Sequence, residues 1–132
     1  MPVIGVDYGS RRVGIAISDS GIVATPHSVI PNHGDVADAV AEIARELGAD
    51  LLVVGIPSRT HPDASQRQYE AFAQRLRQKT CKPVVLWDET LTTVDAAEQV
   101  RAAGRKRRDA QREIDMHAAA VMLQSYLDRS RP

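Results

Sequence analysis

Residues 3–19, VIGVDYGSRRVGIAISD, decide how this chain folds. Two apolar runs, Val3 to Val6 and Val13 to Ile17, flank the polar stretch YGSRR. Apolar runs joined by a glycine-containing turn read as two paired strands. SDSG at 18–21 marks a second tight turn before IVATPHSVI (22–30), so a third strand in hairpin connection is expected. The first run ends on Asp7, with Gly9 two positions later, so the chain can turn sharply while the carboxylate stands at the end of the sheet. An acid buried alone there would cost stability. Asp7 is therefore either a turn former bonded to its own loop or part of a site.

Beyond the hairpins the period changes. DVADAVAEIARELG (35–48) places Val36, Val40, Ile43 and Leu47 at helical spacing and stops at Gly48. DLLVVGIP (50–57) is continuously apolar, as in a strand covered on both faces, and Pro57 ends it. DASQRQYEAFAQRLRQ (63–78) returns to helical spacing through Tyr69, Phe72 and Leu76, and PVVLWDE (83–89) reads as a further buried strand. TTVDAAEQVRAAG (92–104) reads as a helix capped by Thr92 or Thr93, and REIDMHAAAVMLQSYLDR (112–129) as a long final one. Three antiparallel strands followed by alternating helices and strands predict an α/β fold, a mixed five-stranded sheet with helices on both faces.

The chain has 132 residues, 43% of them hydrophobic, which suits one core and predicts a single domain over 1–132. With one Phe and one Trp, that core rests on Val, Ile, Leu and Ala. The lone Cys81 has no intramolecular partner, and no Cys/His spacing resembles a zinc site. No apolar run reaches membrane-spanning length, and the start lacks a signal-like pattern, so a cytoplasmic protein without membrane contact is expected.

Basic and acidic residues balance at 17 each, but their distribution is uneven. RAAGRKRRDAQR (101–112) carries six basic residues against the single acid Asp109. GRKRRDAQ within it reads as a mobile polar loop between the last two helices. Such a run is commonly a solvated loop; leading into Asp115, it suits a phosphodiester backbone instead. Arg11, Arg12, Arg105, Lys106, Arg107 and Arg108 are the substrate-binding candidates.

Three acids could join in a site. Asp88 and Glu89 end their strand side by side, and alternation sends them to opposite faces, so only one can join Asp7. Asp115 precedes Ala118, Ala119 and Met122 on one helical face, which would bring it to the sheet; near a helix start it could also serve the helix dipole. Carboxylates converging at one end of a sheet repel each other unless cations lie between them, and all-oxygen ligation selects Mg²⁺ or Mn²⁺. Paired cations of this kind cut phosphodiesters by activating water and stabilising the leaving oxygen. His117, two residues past Asp115, points away from it on an ideal helix.

In GVDYGSRRVGIAISD, LLVVGIP, DETLTTVDA and IDMHAAAVMLQSYLD, in that order, the chain resembles the YqgF/RuvX family of Holliday junction resolvases, also described as pre-16S ribosomal RNA nucleases. The resemblance spans nearly the whole length. It implies an RNase H-like fold and puts Asp7, Glu89 and Asp115 in a metal-binding, catalytic cluster, with Thr92 and Thr93 shaping the site. Two departures from RuvC-type resolvases stand out: LLVVGIP ends without their acid, leaving that place to Glu89, and Ala118 stands where they carry a fourth acid. The resulting expectation is a metal-dependent endonuclease processing the 5′ end of pre-16S rRNA, with a homodimer and branched DNA as substrate left open. A non-catalytic nucleic-acid-binding protein is the rival. The first hairpin also resembles the phosphate-binding hairpin of actin-like ATPases and sugar kinases, which need a second lobe.

Overall fold

The computed structural model describes residues 1–56, 64–88 and 107–130. Its strands are β1 (Val3–Tyr8), β2 (Arg12–Ser18), β3 (Thr25–Pro31), β4 (Leu51–Ile56) and β5 (Val84–Asp88). Its helices are α1 (Val36–Glu46), α2 (Ala64–Thr80) and α3 (Arg107–Ser130). The sheet runs β3-β2-β1-β4-β5. β1 pairs antiparallel with β2 and parallel with β4, and β4 pairs parallel with β5. This is the mixed five-stranded sheet expected from the sequence.

The sheet carries apolar side chains on both faces. On one, Ile4, Val6, Val13, Ile15, Leu52 and Val54 pack against α1 and α2. On the other, Val3, Ala16 and Val53 meet Ala119, Met122, Leu123 and Leu127 of α3. Helices therefore lie on both faces. Among the described residues no helix is long and apolar enough to cross a membrane.

Local chemistry sets the boundaries. Asp35 caps α1, accepting from the Asp38 backbone N–H. Gly48 at φ +66°, with Gly48 N–H to Arg45 O and Ala49 N–H to Ala44 O, ends α1 in a Schellman motif. The β1–β2 turn closes by Gly9 N–H to Arg12 O at 3.0 Å, and Asn32 at the end of β3 donates to Gly9 O and Arg11 O. A Cβ on Gly9 would lie 2.5 Å from that Arg12 oxygen, which is why the turn after Asp7 needs glycine.

Two boundaries differ from the sequence reading. β3 starts at Thr25, because the Ser20 hydroxyl takes the N–H groups of Ile22 and Val23 and holds them in a turn. α3 starts at Arg107, so residues 107–111, read as mobile loop, are helical; Arg, Ala and Gln are strong helix formers. The helix predicted over 92–104 lies outside the described residues.

Candidate active site

Alternation along β1 places Asp7. Val3 belongs to the cluster beneath α3, and Gly5 lies against Leu123 of α3, while Ile4 and Val6 face the other way. Asp7 continues the series of Val3 and Gly5 and stands half-buried on the α3 face at the end of its strand. On β2 the same face carries Arg12, Gly14 and Ala16, since Ala16 packs beneath α3.

Asp7 and Gly14 are register partners across the hairpin. Gly14 is also where α3 touches down: a Cβ there would lie 2.3 Å from the Asp115 backbone oxygen and 3.4 Å from the Ala119 Cβ. Asp115 therefore sits over the residue paired with Asp7, with no side chain at position 14 between them. Ala118, Ala119 and Met122 are buried, as the helical face of Asp115 predicted. Because α3 begins at Arg107, Asp115 lies about two turns inside it, beyond the reach of the helix N-terminal charge.

Arg12 completes the described part of the site. Its Nε donates to Asp115 Oδ2 at 2.5 Å, a short charge-assisted bond between side chains 40% and 21% exposed, respectively. Arg11 is exposed at the turn tip. Asp88 belongs elsewhere: Val84 and Leu86 pack toward α1 and α2 while Trp87 packs toward α3, so exposed Asp88 shares the face opposite Asp7.

Glu89, Thr92, Thr93, Arg105 and Lys106 lie outside the described residues, and Arg107 and Arg108 occupy the first turn of α3. Among the described residues, no group of three His, Cys, Asp or Glu side chains could hold a metal ion. Asp7 and Asp115 still fit a hard divalent cation chemically, as two oxygen-donor side chains on residues that the strand register and the docking of α3 bring to the same glycine. Sequence reasoning missed Gly14; a glycine within an apolar strand was its available signal, since such glycines mark close backbone approach. It also missed the partner of Arg12, a contact across 103 positions.

The sequence pattern of the family described as RuvX, Holliday junction resolvase, matches residues 1–129. A protein of Anaeromyxobacter dehalogenans named "Putative pre-16S rRNA nuclease" is 38% identical over 138 residues, covering 100% of both chains. A Geobacillus kaustophilus protein of the same name is 38% identical over 138 residues, covering 99% of this chain and 100% of its own. Among solved structures, T. thermophilus RuvC in complex with Holliday junction substrate superposes with a TM-score of 0.60 at 17% identity, over 98% of this chain and 96% of that one. The fowlpox virus Holliday junction resolvase gives a TM-score of 0.59 at 12% identity, over 98% and 99%. A ROK hexokinase from Thermus thermophilus gives 0.51 at 24% identity, over 75% of this chain but 37% of the kinase. The fold is RNase H-like, and the kinase shares that core within a larger chain.

Proposed function

The chain belongs to the RuvX family of Holliday junction resolvases, and from that premise we propose that Asp7, Glu89 and Asp115 form the metal-binding active site of an endonuclease that processes the 5′ end of pre-16S rRNA. Cleavage of phosphodiester bonds follows from the family; the residues and the RNA substrate are the proposal. In this reading residues 1–132 act as one nuclease domain in the cytoplasm.

The observation that carries it is that α3 sets the Asp115 backbone on Gly14, the register partner of Asp7. Asp88 faces away, which leaves Glu89, next in the alternation of PVVLWDE, as the acid for the Asp7 side. These carboxylates would hold Mg²⁺ or Mn²⁺, which when bound supplies water activation and stabilisation of the leaving oxygen. Asp7, at the end of the central strand β1, and Asp115, fixed by the packing of α3, would hold that cation in place, and the guanidinium of Arg12 would draw in the reacting phosphate. Arg11, Arg12 and the basic residues 105–108 neutralise the flanking backbone.

The test is cleavage of labelled structured RNA and four-way junction DNA in parallel, with Mn²⁺, Mg²⁺ or EDTA. Asp7→Asn and Asp115→Asn should each lower metal-dependent cleavage about a thousandfold or more, since each removes a ligand worth several kcal/mol at the transition state. Preferential cutting of the junction would replace RNA with branched DNA, the substrate in the family description. Full cleavage by Asp7→Asn would refute the carboxylate site.

A further inference from the structure

We infer that Arg12 is an internal cation that occupies Asp115 in the free protein and passes to the substrate phosphate on binding, so that divalent cation and nucleic acid bind this site cooperatively. This rests on the reading of Asp7 and Asp115 as a metal site and adds a rule for when that site opens.

Arg12 begins β2 on the same face as Gly14, and its Nε holds Asp115 Oδ2 at 2.5 Å. The contact uses one donor of a fork that carries five N–H groups. Among the described residues the guanidinium makes no other hydrogen bond. At 40% exposure, it remains accessible to a ligand arriving from solvent.

Two consequences follow from charge. While Arg12 holds Asp115, it neutralises the carboxylate and repels a second cation, so the free protein binds divalent ions weakly. A phosphodiester offers Arg12 two oxygens matched to its fork, a better partner than one carboxylate oxygen contacted through Nε. A half-exposed ion pair is weak enough for that exchange. Once Arg12 turns to the phosphate, its charge no longer competes at Asp115 and the carboxylate attracts the cation more strongly. Linkage makes the effect reciprocal: RNA raises metal affinity by the factor by which metal raises RNA affinity. The device keeps the site poorly loaded until substrate is present.

The experiment measures Mn²⁺ binding by electron paramagnetic resonance of the free ion, with and without an RNA hairpin whose integrity is checked afterwards. Wild type, Arg12→Gln, Arg12→Lys and Asp115→Asn are compared. Without RNA, Arg12→Gln should bind Mn²⁺ about tenfold more tightly than wild type, with Arg12→Lys, which keeps the charge but not the fork, in between. The hairpin should tighten Mn²⁺ binding to wild type and leave Arg12→Gln nearly unchanged. Equal or weaker Mn²⁺ binding by free Arg12→Gln, or an undiminished effect of RNA on it, would overturn the inference. Wild-type Mn²⁺ affinity in Asp115→Asn would instead overturn the underlying metal-site reading.

Discussion

At Gly14, an added Cβ would lie 2.3 Å from the backbone oxygen of Asp115, so Gly14→Ala must push α3 off β2. We expect this variant to lose about 1–3 kcal/mol of unfolding free energy in urea titrations, the usual cost of overpacking. Its cleavage rate should fall further than the folded fraction explains, because Asp115 moves relative to Asp7. Gly5 provides the comparison. A Cβ there would lie 2.7 Å from the Leu123 side chain, two residues back on the same face of β1. Gly5→Ala should cost similar stability with a smaller loss of cleavage, and equal losses would detach Gly14 from the site.

Among the elements, α1 and α2 are joined by charge at Asp35. This α1 cap accepts from Arg75 Nη2 at 2.8 Å and pairs with Lys79 Nζ at 3.2 Å, both on α2. The Lys79 hydrogen bond, assisted by the Asp38 N–H and Arg75, holds the Asp35 carboxyl below its usual 3.8, against a smaller opposing effect of burial. A lowered folded pKa means the native state prefers the ionised form. That stability is fully present above about pH 4 and is lost as pH falls through the folded value. Asp35→Asn should therefore melt earlier than wild type at pH 7, and the gap should close as thermal scans move below pH 4. Asp35 and Gly48 also mark what was legible in the sequence: local cap chemistry at both ends of α1 gave boundaries that the structure keeps. Where tertiary or competing local effects decide, the sequence was less clear. Ile22 and Val23 resemble the start of a strand, yet the Ser20 hydroxyl holds them in an exposed turn. Arg107 and Arg108 resemble loop, yet begin α3. The place of Asp7 near the end of β1 and of Asp115 on the sheet-facing side of α3 was legible from pattern, whereas the pairing of Arg12 with Asp115 depends on how α3 docks.

The whole molecule has two apolar layers with different duties. Leu76 of α2 and Leu123 of α3 are both fully buried, one on each side of the sheet. Alanine at either should cost about 2–5 kcal/mol. Only Leu123→Ala loosens the helix that carries Asp115, so its cleavage rate, measured well below the melting temperature, should drop while that of Leu76→Ala stays near wild type. Comparable losses would show that catalysis depends on global rather than α3-specific rigidity. The contact between Arg12 and Asp115 spans 103 positions, and every strand of the sheet precedes α3 in the chain. Synthesis runs from the N-terminus, and structure forms behind it. The ribosome thus makes Asp7 and the whole sheet before Asp115 exists, and a product truncated ahead of α3 lacks one of the proposed metal ligands. On the proposed mechanism, the order of translation itself keeps a half-made chain from cutting.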